Sequence, residues 1–206
     1  MKFPSIPSLL LLSTAAVAMP TATVRDDSTT RNDIKNGLCA PVSVIFARGT
    51  IEAGNVGSIA GPPFFNALTS AIGNIAVQGV DYPADIIGYL AGGSDAGAQT
   101  MTEMVELALS NCPDTRIVMS GYSQGGQLTH KSAAEISAAT AAKVFAVVIF
   151  GDPDRDQALA NGLDAVRLTI CHSGDLICDG DAIVLPQHLT YGEDAGTAAA
   201  FVKSKL

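Results

Sequence analysis

At 206 residues, 48% of them hydrophobic, the chain is long enough to bury one substantial core and too short for two comfortable domains. Its formal charge of −8 argues against nucleic acid as a partner. Four cysteines with no C-x-x-C pair and no H-E-x-x-H point away from a zinc site and toward disulfides.

The chain opens with Lys2, an apolar stretch around residues 9–12 and Ala16-Val17-Ala18. A short basic start, a hydrophobic middle and a small-residue cleavage site predict a signal peptide over residues 1–18 and an extracellular, secreted product. Pro4, Pro7, Ser8 and Ser13 interrupt that apolar segment, and neither it nor any later one is long enough to span a bilayer, so stable membrane insertion is not expected. Residues 19–38 are polar and read as a flexible arm or propeptide, leaving 39–206 as a single domain.

Residues 41–46 (PVSVIF) read as a buried strand, followed by the Arg48-Gly49-Thr50 turn, a glycine-rich loop and a helix over 64–72. A second strand spans 75–82, stopped by Pro83. Residues 85–97 read as a loop carrying Ile86, Ile87, Tyr89 and Leu90, more apolar residues than a loop usually spends without a use. A helix over 98–109, a strand over 116–120, a helix over 127–142, and strands over 143–150 and 165–171 follow. This alternation predicts an α/β fold, a three-layer α/β/α sandwich around a central parallel five-stranded sheet. Four cysteines allow three pairings. Cys39 and Cys112 each lie just before a predicted strand, hence at one end of a parallel sheet, which makes that bridge plausible and leaves Cys171 and Cys178 to close a small loop.

Between strand 116–120 and the next helix stands Gly121-Tyr122-Ser123-Gln124-Gly125. In α/β-hydrolases G-x-S-x-G is a sharp strand-to-helix turn that exposes the serine hydroxyl at the sheet's carboxyl edge. Such a hydroxyl needs a base, and the base a carboxylate to hold its tautomer. Of three histidines, His130 follows Ser123 on the same helix and points away along it, and His172 beside Cys171 suits a surface or structural role. The order serine, acid, histidine selects His188. Asp175, in the loop after the second strand beyond the serine, is favoured as the acid. Asp152 is the rival, in what reads as a solvated acidic turn with Asp154 and Asp156, and Asp179 or Asp181 is a third possibility. For the oxyanion, the backbone N–H of Gln124 and the N–H and hydroxyl of Thr50 are the candidate donors.

Together these residues resemble the fungal cutinases, small lidless α/β-hydrolases. The shared features are Arg48-Gly49-Thr50 with Glu52 and Gly54-Asn55, the Ser123 elbow, the segment from Cys171 to Cys178 around Gly174-Asp175-Leu176, and His188-Leu189, in the same order from about Cys39 to Tyr191. The resemblance implies a Ser123, Asp175, His188 triad, an oxyanion hole of Thr50 and Gln124, and bridges Cys39 to Cys112 and Cys171 to Cys178. The best-known cutinases carry serine where this chain has Thr50, whose extra methyl stiffens χ1 and reshapes the hole. The resemblance also implies an open site with rims at 85–93 and 180–187, where Leu90, Ile183, Val184 and Leu185 are expected to hold acyl chains. The expected partner is cutin or another ester, with no metal or cofactor, and the chain is expected to act as a monomer. An acetylxylan esterase on the same scaffold is the alternative enzyme, and a non-catalytic secreted binding protein the alternative from another class.

Overall fold

The computed structural model describes Met1 and residues 26–206, so the expected signal peptide falls outside the described residues. Five parallel strands form one sheet in the order β2-β1-β3-β4-β5: β1 (Val42–Ala47), β2 (Ile75–Gly79), β3 (Arg116–Tyr122), β4 (Val144–Phe150) and β5 (Arg167–Ile170). Strands β1 and β4 are buried along their whole length, which is why they read as continuous apolar runs rather than alternations. Alternate residues nonetheless go to opposite faces. Ile45, Met119, Val147 and Ile149 join a core beneath α3 (Asp95–Asn111) and α4 (Gln124–Glu135). Val44, Phe46, Val148 and Phe150 join a second core beneath α1 (Gly61–Ile72) and α6 (Ala195–Ser204). The expected three-layer sandwich with a five-stranded parallel sheet is the one observed.

This strand order matters for function. Chain connections leave β1 toward β2 on one side and return to β3 on the other, opening a crevice at the carboxyl ends of β1 and β3, where doubly wound sheets place their ligands. Thr50 lies just beyond β1 and Ser123 just beyond β3.

Several elements differ from the sequence reading. The expected helix over 127–142 begins earlier, directly after Ser123, and breaks at Ile136, whose extended backbone (ψ 147°) ends α4. Ser137 then caps the short α5 (Ala138–Ala141), accepting from the Thr140 N–H. The loop read at 85–97 contains the helical turn α2 (Ile86–Leu90), capped by Asp85, and the start of α3. The closing helix α6 was not anticipated. Within the expected arm, residues 31–35 lie along the free edge of β2. Asn32 bridges Gln78, the Asp33 N–H donates to the Val77 carbonyl, the Val77 N–H donates back to the Asp33 carboxylate, and Ile34 is fully buried. Polar composition hid a segment whose function is to cover a sheet edge. Both disulfides form, Cys39–Cys112 and Cys171–Cys178. With its ends 73 positions apart in sequence, the first bridge removes about 4 kcal/mol of unfolded-chain entropy in the loop-closure model.

Candidate active site

Ser123 sits between β3 and α4 with φ 56° and ψ −121°, a conformation costly for any side-chain-bearing residue. Its N–H donates to the Phe150 carbonyl at 2.9 Å, and its carbonyl accepts from the Gly126 N–H at 2.7 Å. The flanking glycines are steric necessities: a Cβ on Gly121 would fall on the Gly125 carbonyl, and one on Gly125 on the Ala47 carbonyl. The turn therefore closes only with this sequence, and Gln124 becomes the first residue of α4, its backbone N–H among the amides a helix leaves without internal partners.

On the far side of the crevice, the loop after β5 is pinned by Cys171–Cys178 and by the tight turn Leu176–Asp179. Inside it the Asp175 carboxylate is buried. Oδ1 accepts from the Ile177 N–H at 3.1 Å, and Oδ2 accepts from the Tyr191 hydroxyl at 2.6 Å and meets His188 Nδ1 at 2.8 Å. Because a carboxylate can only accept, the His188 proton lies on Nδ1 and the lone pair on Nε2. His188 Nε2 is buried and has no hydrogen-bond partner among the described residues. Tyr122 braces the ring from below, stacked at 5.0 Å with its hydroxyl donating to the His188 carbonyl at 2.7 Å. Burial, ahead of the nearby carboxylates, pushes the Tyr122 phenol far above its ordinary pKa, so it remains a donor.

Ser123 and His188 both line one pocket of about 350 Å³, walled by Ile51, Ile59, Ile86, Tyr89, Val184 and Leu189, with Thr50 at its edge. The Gln124 side-chain amide donates to Thr50 Oγ1 at 2.8 Å and to the Asp85 carbonyl at 2.9 Å. That contact occupies an acceptor position on Thr50 and leaves its own O–H free to donate. Glu52 stiffens the same loop, accepting from the N–H groups of Gly49, Ser58 and Ile59 at 2.8, 2.8 and 3.0 Å.

Comparison with known proteins shows the family. Residues 38–206 match the family model described as Cutinase. The chain belongs to the cutinase family. A cutinase of Botryotinia fuckeliana is 50% identical over 199 residues, covering 95% of this chain and 93% of its own. A Trichoderma reesei cutinase in complex with a phosphonate inhibitor superposes with a TM-score of 0.82 at 45% identity, covering 87% of this chain and 80% of that one. The catalytic core domain of an acetyl xylan esterase, also from Trichoderma reesei, shares the fold at 22% identity and a TM-score of 0.63, over 82% of this chain and 100% of its own. As a member of the cutinase family the chain is a carboxylic ester hydrolase.

Within this cutinase fold the remaining site expectations divide. Of the four rim residues named from sequence, Val184 lines the pocket, whereas Leu90, Ile183 and Leu185 do not. Within the helical turn α2, Ile86 and Tyr89 line the pocket and Ile87 and Leu90 do not. Ile51, Ile59 and Leu189 were missed as pocket residues, while Ile86 and Tyr89 lie within the rim expected at 85–93. Asp152 does not lie in a solvated turn. It is fully buried, 3.0 Å from His130 Nε2 and accepting from the Asp154 N–H at 3.0 Å. Asp179 pairs with Arg155 at 2.7 Å, and the Asp181 carbonyl accepts from the Tyr89 hydroxyl at 2.6 Å. His172 bonds through both ring nitrogens, to the Gln187 carbonyl at 2.8 Å and to Asp194 at 2.6 Å.

Proposed function

We propose that this chain is a secreted serine esterase that hydrolyses cutin and soluble short to medium acyl esters through an acyl-enzyme, with Ser123 as nucleophile, His188 as base and Asp175 as its orienting acid. The observation that carries the reading is the pairing at His188: Nδ1 is held by Asp175, the buried Nε2 has no partner among the described residues, and His188 lines the same pocket as Ser123. Ser123 Oγ attacks the ester carbonyl as His188 Nε2 takes its proton. Charge then develops on the carbonyl oxygen, toward which the N–H groups of Gln124 and Thr50 and the freed Thr50 hydroxyl are the donors. His188 returns the proton to the departing alkoxide, leaving the acyl group on Ser123, and water repeats the sequence in reverse roles to release the acid.

The apolar walls of the pocket favour an acyl chain over an acetylated sugar, which would need polar partners along its ring. Names carried by the relatives support cutin as the polymer. Export follows from the expected signal peptide and is supported by the two disulfides, which form and persist in oxidising surroundings. The test is titration of fatty acids released from purified cutin at mildly alkaline pH, with Ser123→Ala as control. Release by the wild type and a loss of about 10⁴-fold or more in the variant are expected. Equal release by both would remove Ser123 as nucleophile, and deacetylation of xylan without release from cutin would move the substrate to sugars.

A further inference from the structure

Beyond Ser123, His188 and Asp175, the structure points to a fourth participant. We propose that Tyr191 is a positioning residue of the ester-hydrolysing site, its hydroxyl sharing the Asp175 oxygen that holds His188 and thereby setting how strongly that carboxylate grips the imidazole. The proposal rests on the triad reading above and adds a residue to it.

Tyr191 is fully buried. Its ring is stacked on His172 at 4.2 Å, with Tyr122 at 5.9 Å and Phe150 at 6.4 Å. A buried tyrosine needs some partner for its hydroxyl, and a backbone carbonyl would suffice. Here the partner is Asp175 Oδ2 at 2.6 Å, the oxygen that lies 2.8 Å from His188 Nδ1. The direction of the bond is fixed from behind, because the His172 backbone N–H donates into the Tyr191 oxygen at 3.0 Å. With that position filled, the phenolic proton points to the carboxylate. Burial, then the bond to Asp175, pushes the phenol's pKa far above its ordinary value, so it stays a donor through the alkaline range in which an esterase base must be neutral.

Three donors thus meet two carboxylate oxygens: Ile177 N–H on Oδ1, Tyr191 and His188 on Oδ2. Together they leave Asp175 no rotational freedom. Two donors on one oxygen also divide its charge, so Tyr191 weakens what the carboxylate offers the imidazolium formed during attack. Other titratable groups near this cluster are His172 with Asp194 behind it, Tyr122 from β3, and Tyr89 from α2, whose phenol also feels Asp175. His172 contributes a second restraint, since its Nδ1 donates to the carbonyl of Gln187, the residue before His188.

Tyr191→Phe keeps the ring and removes the donor. Expected are a fall of about tenfold in kcat with little change in KM, because a carboxylate with one restraint fewer orients His188 less well, and an upward move of the acid limb of the pH profile by about half a unit, because that carboxylate, relieved of one donor, holds the imidazolium more tightly. A site-specific fluorotyrosine at 191, a stronger donor, is expected to move the limb the other way, and it tests the same point should the Phe variant fold poorly. A limb unmoved by both replacements, with Ser123→Ala inactive, overturns the role of Tyr191 alone. Full ester hydrolysis by Ser123→Ala overturns the triad and this proposal together.

Discussion

Two loops leave the carboxyl edge of the sheet, one after β4 and one after β5, and each carries an aspartate that meets a histidine in the protein interior. Asp152 lies 3.0 Å from His130, and Asp175 lies 2.8 Å from His188. Distance does not tell these pairs apart, and both aspartates are fully shielded. The difference lies in which nitrogen is used and what the other one faces. His130 gives Nε2 to its aspartate and rides on α4, a helix that fixes its direction. His188 gives Nδ1 to its aspartate from the short turn Pro186–Leu189, its Nε2 has no partner among the described residues, and the residue lines the same pocket as Ser123. A short buried His–Asp contact is therefore a packing device by default, and it becomes a catalytic one when the second nitrogen is left for a reacting group.

The largest expected effect separates the two aspartates directly. Asp175→Asn should lower kcat by about 10⁴-fold, because an amide no longer dictates the tautomer that leaves a lone pair on His188 Nε2. Asp152→Asn should leave kcat within a few-fold and cost about 1–3 kcal/mol of stability, the range for disturbing a buried hydrogen-bonded polar group. Steady-state kinetics with a soluble ester and denaturant melts of both variants measure the pair. A large kinetic loss in Asp152→Asn with a normal Asp175→Asn would exchange the roles of the two loops.

Gly151 sharpens the contrast, since it stands between Phe150 and Asp152 yet faces the other pair. Its φ is 56°, and a Cβ there would come within 2.8 Å of His188 Cε1 and 2.7 Å of the Tyr191 ring. Gly151→Ala should therefore displace His188 while leaving His130 in place. A loss of about 10- to 100-fold in kcat/KM is expected, the scale of a misplacement near 1 Å in a catalytic group. Little kinetic change with lowered stability would mean that the ring yields without cost to the chemistry.

How far the sequence foretold this arrangement depends on how local each signal is. The strands β1, β3 and β4 and the Ser123 elbow were legible because buried parallel strands are continuous apolar runs and the turn tolerates only glycine at its flanks. Family membership was legible because motifs far apart in the chain occur together in order. What the sequence hid depends on contacts between distant segments. The burial of Asp152 comes from His130, 22 residues away, so its acidic neighbours suggested solvent instead. Ile34 reaches the core because Asn32 and Asp33 pair with β2, a partner more than 40 residues on. Tyr191 carries no motif at all, and its proximity to Asp175 appears only once the chain after β5 folds back across the sheet edge.

The third His–Asp contact supplies the smallest expected effect and one whose sign is fixed by its bonding. Two of the groups His172 meets, the Gln187 carbonyl and Asp194, can only accept, so those two bonds form together when both ring nitrogens carry protons, while the Thr190 hydroxyl lies 3.2 Å from the same Nδ1. Burial opposes the charge on this ring, but the bond to Gln187 and the bond and charge of Asp194 outweigh it and raise the pKa above its ordinary 6.5. A pKa raised by folding stabilises the folded state fully below the unfolded value, and the contribution fades as pH rises through the folded value. His172→Gln should therefore lower the melting temperature more at pH 5.5 than at pH 9. A melting difference that is constant across this range, or grows with pH, would show that His172 is held as a neutral ring.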